Sequence, residues 1–98
     1  MSMESSALVD RIKAGLMDVI DPELGRDVVS LGLIYTIEAT DAGAVHIIMT
    51  TTTIGCPAAG FLVDAVRHAS ATVAGVTSVD VRLTHEPRWQ PEMMSDPG

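Results

Sequence analysis

The chain has 98 residues, 47% of them apolar but only 3% aromatic, with 13 Asp and Glu against 6 Lys and Arg for a net charge of −7. That length suits one small domain with a core of Val, Ile, Leu, Ala and Met, burying only about two-thirds of the surface its unfolded chain exposes. The acidity excludes a nucleic-acid role, which needs clustered Lys and Arg to displace counterions, and no apolar run approaches the roughly 20 residues of a membrane span.

The first element is a helix over residues 6–20, where Leu8, Ile12, Leu16, Val19 and Ile20 recur at helical spacing behind a Ser5 or Ser6 cap. Asp21-Pro22-Glu23-Leu24-Gly25 breaks it, because proline disfavours helical geometry in the residue before it and glycine suits a turn. After Val28-Val29-Ser30-Leu31-Gly32, residues 33–40 read as a strand. Asp41-Ala42-Gly43 then supplies a hairpin connection into a second strand over residues 44–51. A second helix over residues 58–74 carries Phe61, Leu62, Ala65, Val66, Ala69 and Val73 on one face, and Gly75 stops it. Val79, Val81 and Leu83 alternate with Asp80, Arg82 and Thr84 in a last strand. The tail, residues 85–98, holds three prolines and no clear period.

The expected architecture is therefore α+β, two helices on a small mixed three-stranded sheet in the order α-β-β-α-β with an irregular C-terminal tail. A single domain over residues 1–98 is expected, with its core over about 6–84. If the third strand returns beside the first two, the loop at residues 21–25 and the junction at residues 51–56 meet at one end of the sheet. Asp21 and Glu23 then lie near the only cysteine, Cys56.

Cys56 directly precedes Pro57, a residue favoured at the first helical position. A helix starting there places the thiol at the cap, where free backbone N–H groups and the helix dipole favour the thiolate, the form that attacks electrophiles and binds metals. A lone cysteine is also often only a small buried apolar side chain. One cysteine rules out an internal disulfide framework, and the N-terminus lacks the basic and apolar regions of a signal peptide. Both point to the reducing cytoplasm.

Four motifs in order, Asp21-Pro22-Glu23, Val29-Ser30-Leu31-Gly32-Leu33-Ile34-Tyr35, the threonine run ending in Cys56-Pro57, and Trp89-Gln90-Pro91-Glu92-Met93-Met94-Ser95, resemble the small iron–sulfur cluster assembly proteins. That family includes SufT-type proteins, PaaD-type accessory proteins, eukaryotic cytosolic targeting factors and the N-terminal domain of some Mrp-type carriers. The resemblance implies a role in maturing iron–sulfur proteins, with Cys56 as the key residue and Asp21, Glu23, Thr52 and Thr53 lining the same region. Ile54 stands where relatives often have proline, and the cysteine-rich C-terminal extension of the PaaD type is missing, so the SufT-like branch fits better.

All-cysteine cluster sites use four thiolates and this chain offers one, so a monomer cannot hold an ordinary cluster. The expectation is a labile iron–sulfur cluster, or iron, bound between the chains of a homodimer or with a partner. The partners are then the iron–sulfur assembly machinery and client apoproteins, and the role is transfer or targeting rather than catalysis. Two other readings stay open. In a thiol enzyme Cys56 is the nucleophile and one of His46, His68 and His85 the base, although none has a recognisable spacing to it. In a pure interaction module the surface is the tail, with Trp89 and Met93 as contacts, unless Trp89 simply folds back over the sheet. Asp21 and Glu23 can equally do no more than satisfy loop donors, and the threonines no more than extend a strand.

Overall fold

The computed structural model describes residues 3–94. In chain order these form helix α1 (Met3–Leu16), strands β1 (Ile34–Ala39) and β2 (Ala44–Met49), helix α2 (Ala59–Ala71), strand β3 (Ser78–Leu83) and a 3-10 turn (Pro91–Met93). The fold is the expected α+β arrangement. β2 lies in the middle of the sheet, antiparallel to β1 and parallel to β3. Parallel neighbours require a crossover, and α2 supplies it.

The alternation in β2 decides which face is covered. Val45, Ile47 and Met49 are buried, while His46 and Ile48 between them are exposed. Both helices pack on the buried face: Leu8, Ile12 and Leu16 repeat every four residues along α1, and Leu62 and Val66 do the same on α2, all of them buried. Each such side chain contributes about 1.5–3 kcal/mol of burial free energy. The open face carries Thr36, Glu38, His46, Asp80 and Arg82. Its ion pairs, His46–Asp80 at 3.6 Å and Arg82–Asp80 at 3.5 Å, lie in solvent and contribute little.

The hairpin forms where Asp41-Ala42-Gly43 predicts it. Gly43 has φ +87°, and a β-carbon there would run into the Gly75 carbonyl, so only glycine fits.

Several boundaries differ from those expected. α1 begins at Met3, leaving Ser5 and Ser6 inside the helix instead of capping it, and it ends at Leu16 rather than at residue 20. Met17, Asp18 and Val19 donate to carbonyls only three residues back, and Ile20 then bridges Asp27. α2 ends at Ala71, followed by tight turns through Val73 and Val76 before β3. Phe61, expected on the apolar face, is 63% exposed: Leu62 and Val66 turn into the core, and Phe61 faces outward beside them.

The tail is tied down. The Trp89 indole N–H donates to the Leu31 carbonyl at 2.6 Å, and the Tyr35 hydroxyl donates to the Pro87 carbonyl at 2.7 Å. Trp89 and Met94, both partly buried, pack against the core. Gly32 has φ +76°, and any β-carbon there would collide with the backbone of Met93. Among the described residues no helix is long and apolar enough to cross a membrane.

Candidate functional site

The register of the sheet creates the site. Ile34 pairs with Met49 and Met49 with Leu83, so the chain enters β1 and leaves β2 and β3 at the same end. The ladder runs slightly past the strands: the Thr50 N–H donates to the Leu33 carbonyl and the Thr84 N–H to the Met49 carbonyl, both at 2.8 Å. Two loops therefore meet there, one preceding β1 and one following β2.

The first loop closes on itself. The Ile20–Asp27 bridge is flanked by hydrogen bonds from the Asp21 N–H to the Arg26 carbonyl and from the Val28 N–H to the Val19 carbonyl, each 2.9 Å. Asp21 is only 1% exposed, and its carboxylate accepts the N–H groups of Glu23 at 2.7 Å and Leu24 at 3.3 Å. That is an Asx-type turn, the chemistry for which Asp is selected in loops. Asp27 caps the next turn by accepting the Ser30 N–H at 2.9 Å. Burial pushes the Asp27 carboxyl upward, but hydrogen bonds from the Ser30 side chain and from nearby backbone outweigh it and hold the group below its ordinary value.

The second loop brings the thiol. Cys56 is 8% exposed, and its Sγ–H donates to Glu23 Oε1 at 3.3 Å, joining residues 33 positions apart. The cap position expected for Cys56 is corrected. α2 starts at Ala59 with Ala58 as its cap, because the helical ladder opens with Leu62 N–H on the Ala58 carbonyl while the Cys56 carbonyl is taken in a tight turn by the Ala59 N–H at 3.1 Å. The thiol therefore sits two residues before the cap, and its polar neighbour is a carboxylate instead of the helix amides.

The threonines divide. Thr50 and Thr51 are buried, and the Thr51 hydroxyl donates to the Thr53 carbonyl at 2.7 Å while meeting His85 Nε2 at 3.1 Å. Thr52 and Thr53 line a cleft of about 290 Å³ with Thr51, Ile54, His85 and Arg88, outside the contact between Glu23 and Cys56. Trp89 and Met93 lie on the docked tail, where Met93 Sδ lies 3.8 Å from the Tyr35 hydroxyl oxygen. The structure thus joins Cys56 with Glu23, sets Asp21 under the Glu23 turn, and groups Thr52 and Thr53 with His85, which the sequence offered only as one of three candidate bases for the thiol, and with Arg88, which sequence reasoning missed. The signal for His85 was the parallel register: each β2 residue faces the β3 residue 34 further on, and Thr51 and His85 continue that offset.

The rim is apolar. Met17, Ile20, Leu24, Ile54 and Phe61, exposed by 46–63%, all belong to the two loops or to the adjoining turns of the helices.

Comparison with known proteins places the chain in a family and agrees with its fold. Residues 9–81 match the family model described as iron-sulfur cluster assembly protein. The chain is 42% identical to the Fe-S protein maturation auxiliary factor YitW of Bacillus subtilis over 91% of its length and 87% of that protein. It is 39% identical to the Fe-S protein maturation auxiliary factor SufT of Staphylococcus aureus, over 79% of this chain and 88% of that one. The crystal structure of a domain of unknown function from Bacillus anthracis superposes with a TM-score of 0.90 at 41% identity, covering 95% of this chain and 89% of the other.

Proposed function

The chain belongs to the family of iron–sulfur cluster assembly proteins, and from that membership we propose that it serves iron–sulfur protein maturation as a non-catalytic transfer or targeting factor working through Cys56. The observation that carries the reading is the 3.3 Å contact between the Cys56 thiol and the Glu23 carboxylate. Only a thiolate binds iron, so ligation must release the thiol proton, and a carboxylate within hydrogen-bond distance is a ready acceptor.

The donor set also limits what one chain does. A thiolate and a carboxylate fall short of the four ligands of a cluster, and among the described residues no group of three or more His, Cys, Asp or Glu side chains could hold a metal ion. The cargo, a cluster or an iron atom, therefore draws its remaining ligands from a second copy of the chain or from the client that receives it. Such incomplete ligation favours release. In this reading the working unit is a homodimer in the cytoplasm, and the apolar rim is where assembly machinery and client apoproteins dock, since exposed apolar side chains around a site mark contact surfaces. A thiol enzyme finds less support. The thiol's polar partner is Glu23, while His85 contacts Thr51, His46 contacts Asp80 and His68 is exposed on α2.

Anaerobic reconstitution with iron and sulfide, followed by visible spectrum and native mass, tests the proposal. The expected result is cluster absorbance at the mass of two chains in the wild type, loss in Cys56→Ala, and weakened retention in Glu23→Gln. Unchanged client maturation by the Cys56→Ala protein would overturn it.

A further inference from the structure

We propose that the cleft between residues 51–54 and 85–88 binds a small oxyanion, a carboxylate or a phosphate group. Its walls are Thr51, Thr52, Thr53, Ile54, His85 and Arg88. In a chain with 13 acidic residues against 6 Lys and Arg, this lining holds an imidazole, a guanidinium and three hydroxyls but no carboxylate. Glu86, between the two bases in sequence, lines the neighbouring apolar groove instead.

Two of these groups hold each other in place, and the other three are unused. The Thr51 side chain, nearly fully buried, gives its proton to the Thr53 carbonyl, so it accepts from His85 and fixes Nε2 as a donor. Among the described residues, the hydroxyls of Thr52 and Thr53 and the guanidinium of Arg88 have no hydrogen-bond or ion-pair partner within the chain. A planar guanidinium with hydroxyl donors nearby matches the geometry of a carboxylate or phosphate. The net charge of −7 repels anions in general, so binding here relies on these local donors.

The inference is independent of Cys56, which does not line the cleft. The test is titration of the ¹⁵N-labelled full chain with inorganic phosphate and, separately, with acetate at constant ionic strength. Saturable shifts confined to Thr52, Thr53, His85 and Arg88 are expected, weakened roughly tenfold or more in Arg88→Gln and kept in Cys56→Ser and in Arg82→Gln on the open face. Response to phosphate alone identifies a phosphoryl ligand, to acetate alone a carboxylate, and to both a general oxyanion site. Shifts that never saturate, or that survive in both Arg88→Gln and His85→Gln, would overturn the proposal. Because Arg88 is exposed and makes no contact of this kind within the chain, a native-like spectrum of its variant is expected.

Discussion

The loop around Asp21 is closed by its own atoms, whereas the stretch from Thr50 to Cys56 is held from outside. In the first, one buried carboxylate and a single bridge tie together residues within ten positions of one another. In the second, the anchors are Leu33 in front and His85, 34 positions behind. Glu23 is thus delivered by local chemistry and Cys56 by the whole sheet. A contact between them requires both the loop and the fold to be intact, and it breaks when either fails.

That contrast can be broken at three points. The largest effect is expected for Asp21→Ala, which removes a buried carboxylate and strips the acceptor from two amides of its turn, and should cost about 2 kcal/mol in urea denaturation. It should also release the Glu23 end of the thiol contact, visible as faster alkylation of Cys56. Thr51→Val keeps shape but removes both hydroxyl contacts, for about 1 kcal/mol. Its coupling to His85→Gln in a double-mutant cycle should be positive, while its coupling to Asp21→Ala should be near zero if the two loops are held separately. Asp27→Asn should have the smallest effect. Because hydrogen bonding holds the Asp27 carboxyl below its ordinary value, its contribution is present above the ordinary carboxylate range and disappears as pH falls through the lowered value. The stability difference between wild type and variant should therefore be full at neutral pH and vanish in acid, measured by denaturation across that range.

The same contrast explains what the sequence made legible. Period changes located every helix and strand, and Asp21-Pro22 with Gly25 marked the self-closed loop, because its determinants are neighbours in the chain. The meeting of Glu23 with Cys56 followed from topology once the third strand was taken to return beside the others. The start of α2 was misjudged because Pro57 suits a first helical turn and equally suits the tight turn that precedes it, and the choice depends on which carbonyl the Ala59 amide finds. His85 was legible only as a candidate base for the thiol and Arg88 not at all: nothing near them in the chain announces Thr51, and only the parallel offset of β2 and β3 brings His85 to it. Phe61 fell on the expected face by spacing alone, which does not say how wide the buried stripe is.

The docking of Trp89 has an optical consequence. It is the molecule's single tryptophan, and its indole N–H ends on the carbonyl of Leu31, one residue before the glycine against which the Met93 backbone rests. Nearly all near-ultraviolet emission of this protein therefore originates at the seam between the tail and the segment that feeds β1. Loosening of that seam, whether by a client, a second copy or a change in the loop before it, transfers the indole toward water and shifts its fluorescence to longer wavelength, so the molecule carries its own unlabelled gauge of whether the tail is docked.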